Sequence, residues 1–354
     1  MTSFDANFDR QKLMYHPERV AEWMQRGVTS GPLYTEFELC SFCNCRCVFC
    51  GVDYIVGVSH EEIDVAAAKR VLGELARLGN RAVMFAGHGE SLLHSRAGEI
   101  IAHGSGLMST SVTTNGITLD EAGVELIDGL EWIRFSVNAG SPESYARVHG
   151  VSPKLFDRAL HNIELAVRRK RERDLDVTVG VQLVLIDENA DSVMDLGVRV
   201  KDIGVDYFSV KPYSQHPLGK KQRTVDYDRL GEIEKPVRAL ADSSFRVIYR
   251  AGSVAKVGRE KPYKECYGTH FLCFISADGD VWECNVFAGD PRFRIGNVRE
   301  EELAAIWTGR RRKEVLDFLH KDMEIASCRD VCRMDECNRY LWRLKHPWAH
   351  DDFI

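Results

Sequence analysis

Between residues 34 and 215, short apolar runs alternate with longer stretches whose apolar residues recur at helical spacing. The runs Tyr34–Leu39, Arg81–Phe85, Ser109–Thr113, Trp132–Val137, Val177–Leu185 and Tyr207–Val210 read as strands. Val65–Leu78, Arg96–His103, Ala122–Ile127, Pro153–Arg171 and Asp191–Ile203 read as the helices between them. A strand followed by a helix, repeated about six times, predicts an α/β fold with a parallel sheet and right-handed crossovers. Six units are too few for a closed eight-fold barrel, so an open, partial β/α barrel is expected. Residues 1–33 read as a helical lead-in, with Val20, Trp23 and Met24 on one face. After about residue 255 the pattern changes. Phe271–Ser276, the turn Asp278-Gly279 and Val281–Cys284 read as a β-hairpin. A helix over Glu301–Leu319, a cysteine-bearing loop and a last helix near Asp335–Leu344 follow. The expected division is a lead-in over 1–33, a barrel over 34–255 and a small α+β domain over 256–354.

The formal net charge is −6, so no global basic field recommends nucleic acid as a partner. The run Arg168-Arg169-Lys170-Arg171 reads as the solvated end of a helix. No apolar run approaches the roughly 18 residues a membrane span needs. Met1 to Arg10 is polar and has no signal-peptide core. A cytoplasmic protein with no membrane partner is expected. There, clustered cysteines are more often metal ligands or catalytic groups than disulfides. The 11 cysteines fall into two groups, Cys40 to Cys50 and Cys266 to Cys337, with none between. That distribution predicts two metal sites.

The first group contains Cys43, Cys47 and Cys50, spaced Cys-x3-Cys-x2-Cys, directly after the first strand. Three thiolates on a four-iron cubane leave one iron open, as a catalytic site requires. With Phe49 just before the third cysteine, the segment resembles the cluster loop of the radical S-adenosylmethionine (SAM) superfamily. The resemblance implies a [4Fe–4S] cluster on Cys43, Cys47 and Cys50, with SAM on its open iron. Reductive cleavage of SAM would then give a 5′-deoxyadenosyl radical, with the protein supplying binding and orientation. A zinc knuckle is the competing reading of the cysteines. Cys40 and Cys45 are left over; Cys45 is either a bystander or a hydrogen-atom donor.

Further segments resemble the superfamily's SAM-binding positions. Gly87-His88-Gly89-Glu90-Ser91 stands where the family has Gly-Gly-Glu-Pro, with His88 in place of the first glycine and Ser91 in place of proline. Gly87, Gly89 and Glu90 are therefore assigned to SAM, as are Phe49 beside the adenine and Asn115 in Thr114-Asn115-Gly116. Ser136 and Asn138 after the fourth strand, and Gln182 in the fifth, complete the set. Lys211 and Tyr213 end the sixth strand, where active sites of such barrels gather, and are candidate substrate contacts.

The C-terminal segment resembles the SPASM/twitch extension of these enzymes, which carries auxiliary iron–sulfur clusters. Cys266, Cys284, Cys328 and Cys332 match the one-cluster twitch arrangement, a long gap followed by a close pair. Cys273 lies in an apolar run and reads as core, while Cys337 is an alternative ligand. Zinc is the rival metal. An auxiliary [4Fe–4S] cluster would accept the electron left on the substrate after hydrogen abstraction. The resemblance thus implies dehydrogenation, with epimerisation and peptide or protein maturation as alternatives. Only about 33 residues precede the first strand, fewer than a leader-binding domain takes, which favours a small polar substrate such as a sugar, amino sugar, cyclitol or nucleotide sugar. An electron donor such as flavodoxin or ferredoxin is the other expected partner.

Overall fold

The structure is a computed structural model that describes residues 12–353. The first part of the lead-in, including the polar segment from Met1 to Arg10, lies outside the described residues.

The six expected strands are present: β1 (Tyr34–Phe37), β2 (Ala82–Phe85), β3 (Ser109–Thr114), β4 (Trp132–Ser136), β5 (Thr178–Leu185) and β6 (Tyr207–Pro212). A seventh, β7 (Arg246–Tyr249), extends the parallel set. The hairpin of β8 (Leu272–Ile275) and β9 (Asp280–Trp282) then continues the same sheet on the far side of β1. β8 is parallel to β1, with Tyr34 opposite Leu272, and β10 (Arg294–Asn297) closes the edge antiparallel to β9. The C-terminal segment thus adds strands to the sheet of the barrel instead of standing apart from it.

Residues of a strand alternate between faces. Phe37, Val83, Phe85, Val112, Ile133, Phe135, Val181, Leu183, Phe208 and Val210 point to one face and join a single apolar core. The helices α1 (Pro17–Arg26), α2 (Val65–Arg77), α3 (Ala97–Ser105), α4 (Pro142–His149), α5 (Lys154–Glu172) and α6 (Val193–Ile203) surround the sheet. Leu72 and Leu75 of α2, Ile100 and Ile101 of α3, Phe156 and Ile163 of α5 and Leu196 and Val200 of α6 pack into that core. The opposite face carries Glu36, Met84, Thr113, Arg134, Ser136, Gln182, Ser209 and Lys211, so the inner wall of the sheet is polar.

Two helices depart from the periodicity. The segment after β4 forms α4, where the Ser141 side chain accepts from the backbone N–H of Ser144, Pro142 occupies the first turn, and Gly150 closes the end with φ 64°. The expected helix over Glu301–Leu319 divides at Gly309 into Leu303–Thr308 and Arg310–Lys321. Behind that break lies a buried ion pair. Arg312 donates to Glu283 at 2.8 and 3.1 Å and stacks 3.6 Å over the Trp307 ring. No described helix is long and apolar enough to cross a membrane.

Candidate active site

The loop after β1 is held by backbone hydrogen bonds to the end of α4. Arg46 N–H donates to His149 O at 2.8 Å, and Val48 N–H to Val148 O at 2.9 Å. This brings the sulfurs of the first group together. Cys45 is buried and hydrogen-bonded to both Cys43 and Cys47, while Cys43 and Cys50 act on each other electrostatically. Crowding and burial push the thiols of Cys43, Cys45 and Cys50 up. Packed soft donors of this kind become thiolates when a metal takes the protons' place. The three motif cysteines are half-buried and fit the cluster role, whereas Cys45 lies deeper.

His149 is a residue the sequence pattern did not single out. Its Nδ1 lies 3.4 Å from Cys47 Sγ, and its Nε2 accepts from Asn138 N–H at 3.1 Å. Burial lowers its pKa to about 3, so the ring is neutral. With Nε2 accepting, the proton sits on Nδ1, whose N–H donates a hydrogen bond to the Cys47 sulfur. Tyr145 stacks on the ring at 4.2 Å and fixes its plane. The signal for it was local: α4 has its own cap at each end, and His149 is its last residue.

The residues assigned to SAM surround this loop. Gly89 lies against the backbone of Cys40 and Phe42, and Gly87 against the side chain of Glu38. Glu90 is buried, and desolvation raises its pKa. Its carboxylate accepts from Asn115 N–H at 2.6 Å and from Leu92 N–H at 3.1 Å, so it ties the β2 and β3 loops together. The Asn115 amide donates to Asn44 Oδ1 at 2.6 Å. Asn138 accepts from Val184 N–H at 2.6 Å and joins β4 to β5. Phe49 meets His149 edge-on at 6.3 Å. Ser136 and Gln182 are paired in register on the inner wall. Tyr213 donates to Gln215 at 2.7 Å and packs with Val148 and Ile186 beside Phe49.

Cys266, Cys284, Cys328 and Cys332 line one small cavity of about 20 Å³, together with Asn338 and Lys261. Asn338 donates to Cys266 Sγ at 3.3 Å, and Met334 N–H to Cys332 Sγ at 3.4 Å. A hydrogen bond from Cys328 lowers the Cys332 thiol and raises its own. Among the described residues, only Cys45, Cys47 and His149 bring three donor atoms within 4.8 Å of one another. The four auxiliary cysteines are spread more widely than a single tetrahedral zinc, with bonds of about 2.3 Å, would hold them. They fit a cluster better. Cys337 does not line the cavity and packs beside the Trp23–Tyr267 cluster, and Cys273 is core.

A second cavity, of about 190 Å³, lies on the inner wall and is bordered by residues next to both cysteine groups: Val52 just after Cys50, Asn285 after Cys284 and Arg329 after Cys328. It is lined by Gly87 and His88 of the β2 loop, Thr113 and Arg134 of the sheet, and Asn285, Arg329 and Arg333 of the C-terminal segment. Burial and the neighbouring cations Arg329, Arg250 and Arg134 hold the Lys211 amine well below its ordinary range.

The radical SAM superfamily model matches residues 37–209, and the SPASM iron–sulfur cluster-binding domain matches residues 266–338. An AdoMet-dependent heme synthase of Methanosarcina barkeri (strain Fusaro / DSM 804) is 25% identical over 324 residues, which are 86% of this chain and 89% of the relative. A PqqA peptide cyclase of Xanthomonas oryzae pv. oryzae (strain MAFF 311018) is 25% identical over 285 residues, 78% of this chain and 74% of the relative. The fold is that of Streptococcus suis SuiB bound to S-adenosylmethionine, with a TM-score of 0.68 and 18% identity over 94% of this chain and 79% of that one. It is also that of anSMEcpe with bound AdoMet, with a TM-score of 0.58 and 14% identity over 88% and 96% of the two chains. The chain belongs to the radical SAM superfamily and carries a C-terminal SPASM domain, so its cofactors are a [4Fe–4S] cluster with SAM and an auxiliary iron–sulfur centre.

Proposed function

We propose that this chain cleaves SAM reductively and oxidises a residue of a peptide substrate by hydrogen-atom abstraction. The observation that carries the proposal is the inner-wall cavity, whose wall is shared by the β2 loop and the C-terminal segment and bordered by residues next to both cysteine groups. A substrate group held there has the radical source on one side and the auxiliary centre on the other. When bound, the cluster on Cys43, Cys47 and Cys50 supplies the electron that cleaves SAM. This chain's residues do the rest. Glu90 and Asn115 fix the loops around the cofactor, and the neutral His149 ring donates an Nδ1–H hydrogen bond to the Cys47 sulfur. Cys266, Cys284, Cys328 and Cys332 would hold the auxiliary centre that takes the substrate electron. A flavodoxin or ferredoxin would provide the reducing electron.

A peptide substrate is favoured by the relatives that are peptide cyclases, similar along most of this chain. A second reading, a small polar molecule, is favoured by the cavity itself. Its 190 Å³ takes a few polar groups and is lined mostly by charged and polar side chains. The test is anaerobic turnover of the reconstituted protein with reductant and SAM, followed by mass spectrometry. Formation of 5′-deoxyadenosine together with a peptide two hydrogens lighter supports the proposal. An oxidised sugar or cyclitol and an untouched peptide would move the assignment to the second reading. A product of unchanged mass carrying one solvent deuterium would make the enzyme an epimerase.

A further inference from the structure

We propose that the inner cavity grips an oxyanion group of the substrate, a carboxylate or a phosphate, between Arg134 and Arg329; this rests on reading that cavity as the substrate site. The ionisable groups facing it are Arg134, Arg329, Arg333, His88, His216 and Glu36. The acidic groups there are already engaged. Glu36 pairs with Arg333 and accepts from Asn285 at 2.7 Å. Glu38, beneath the β2 loop, is held by His88 at 3.0 Å and by Ala277 N–H at 3.2 Å. Among the described residues, Arg134 and Arg329 have no carboxylate paired with them, and beside Arg329 stand the Cys328 and Cys332 sulfurs and the Tyr213 and Tyr54 hydroxyls. Arg134 donates from one terminal nitrogen to Thr113 Oγ1 at 3.1 Å, and Arg329 from one to Ser214 O at 3.0 Å. The Nε of each is buried without a partner. Lys211, close enough for both guanidiniums to act on it, has no hydrogen-bond or ion-pair partner among the described residues.

Buried cations without counter-charges are costly, and orphaned buried donors are rare in folded proteins. An entering oxyanion removes both costs together. The guanidinium fork matches the paired oxygens of a carboxylate or phosphate, and its Nε–H is one tine of that fork. The two arginines reach the cavity from different parts of the fold: Arg134 from the middle of β4, and Arg329 from the loop between Cys328 and Cys332. A group held by both is thereby anchored between the radical source and the auxiliary site. Its neighbouring carbon, rather than the oxyanion itself, is the atom presented for hydrogen abstraction. An acidic side chain of a peptide and a small acid or phosphoester offer the same chemistry.

The test uses the full-length, anaerobically reconstituted protein saturated with SAM and titrated calorimetrically with two probes, glutarate and inorganic pyrophosphate. Binding of glutarate identifies a carboxylate site, and binding of pyrophosphate a phosphate site. Arg134→Gln is expected to weaken the bound probe by about tenfold to a hundredfold, the value of one or two charge-assisted hydrogen bonds. Arg134→Lys should recover part of the loss. Iron content and the circular dichroism spectrum establish that each variant is folded. Arg329→Gln is the second variant, because Arg134 also rests on the Trp132 ring, 5.2 Å away. Failure of both probes to bind the parent protein overturns the proposal. So does an Arg134→Gln variant that loses SAM and probe affinity alike, since the guanidinium then serves the SAM carboxylate. If the parent protein makes no 5′-deoxyadenosine, the functional reading fails instead, whatever the probes do.

Discussion

Gly89→Ala tests whether the β2 loop sets the position of the cluster loop. A Cβ at residue 89 would lie 2.1 Å from Cys40 O, 2.6 Å from Phe42 O and 2.9 Å from Phe42 N. All three atoms are backbone, in the segment that leads into Cys43. The closest of them is about 0.9 Å nearer than the 3.0 Å below which real Cβ atoms are essentially never found. The two segments cannot slide apart freely. Glu90 N–H donates to Phe42 O at 2.9 Å, and Cys40 Sγ donates to Glu90 O at 2.9 Å. Overpacking of this kind costs about 1–3 kcal/mol, and strain on two hydrogen bonds places this case in the upper half of that range. The functional loss should be larger than the stability loss suggests. A shift of about 1 Å in a reacting constellation lowers a rate on the order of a hundredfold. The assay is 5′-deoxyadenosine formation by the reconstituted protein, beside its iron content and a denaturation curve. The control is Gly98→Ala in α3, where a Cβ meets nothing within 4 Å and helix propensity adds up to about 1 kcal/mol. A Gly89→Ala protein that cleaves SAM within about twofold of the parent, at unchanged stability, would refute the reasoning.

Alanine at Cys43, Cys47 or Cys50 is expected to abolish SAM cleavage and to remove about four irons from the reconstituted protein, as measured by iron analysis. Cys284→Ala should remove a similar amount of iron and stop product formation while sparing some SAM cleavage, which a joint assay of 5′-deoxyadenosine and product resolves. Arg312→Leu strands the buried Glu283 carboxylate and should destabilise the fold by about 3–5 kcal/mol in urea titration, whereas an exposed pair such as Arg310–Glu314 is worth well under 1 kcal/mol. His270 is buried with both ring nitrogens unpartnered; desolvation, then Arg312, His320 and Lys345, hold its pKa well below the ordinary value. Its folded pKa is depressed, so below about pH 6.5 the unfolded chain binds a proton that the folded chain does not. His270 should then contribute a loss of about 1.4 kcal/mol for each pH unit of acidification, and His270→Phe should make the stability–pH slope shallower by about that amount.

What the sequence disclosed, and what it hid, divides along physical lines. Strands β1 to β6 were legible because each is a short run rich in β-branched, aromatic or aliphatic residues with one face against helices. The cysteine loop was legible because cluster ligands must lie close together in sequence to sit on one loop. The four cysteines that the sequence sets apart as auxiliary ligands, of the six in the C-terminal segment, line one cavity. Hidden from the sequence was whatever depends on pairing across long distances. β8 lies beside β1 because Leu272 to Ile275 meet Tyr34 to Phe37 in parallel register, and no local period encodes that partnership. β7 was hidden for a related reason: Arg246 and its partly buried neighbours make a strand only by pairing with β6. His149 is one more residue of a loop until α4 turns its ring onto Cys47. Arg134 and Arg329 pass for ordinary surface charges, since arginine is usually solvated. Arg134 is in fact the residue between the core side chains Ile133 and Phe135, so strand alternation sends it inward. That alternation is written in the sequence. Applied to charged residues as strictly as to apolar ones, and with the sheet expected to curl as a partial barrel, it puts a guanidinium on the inner wall of the sheet. A charged residue on that wall, such as Arg134, is where a substrate contact is to be sought, and Arg134→Gln is the variant that tests it.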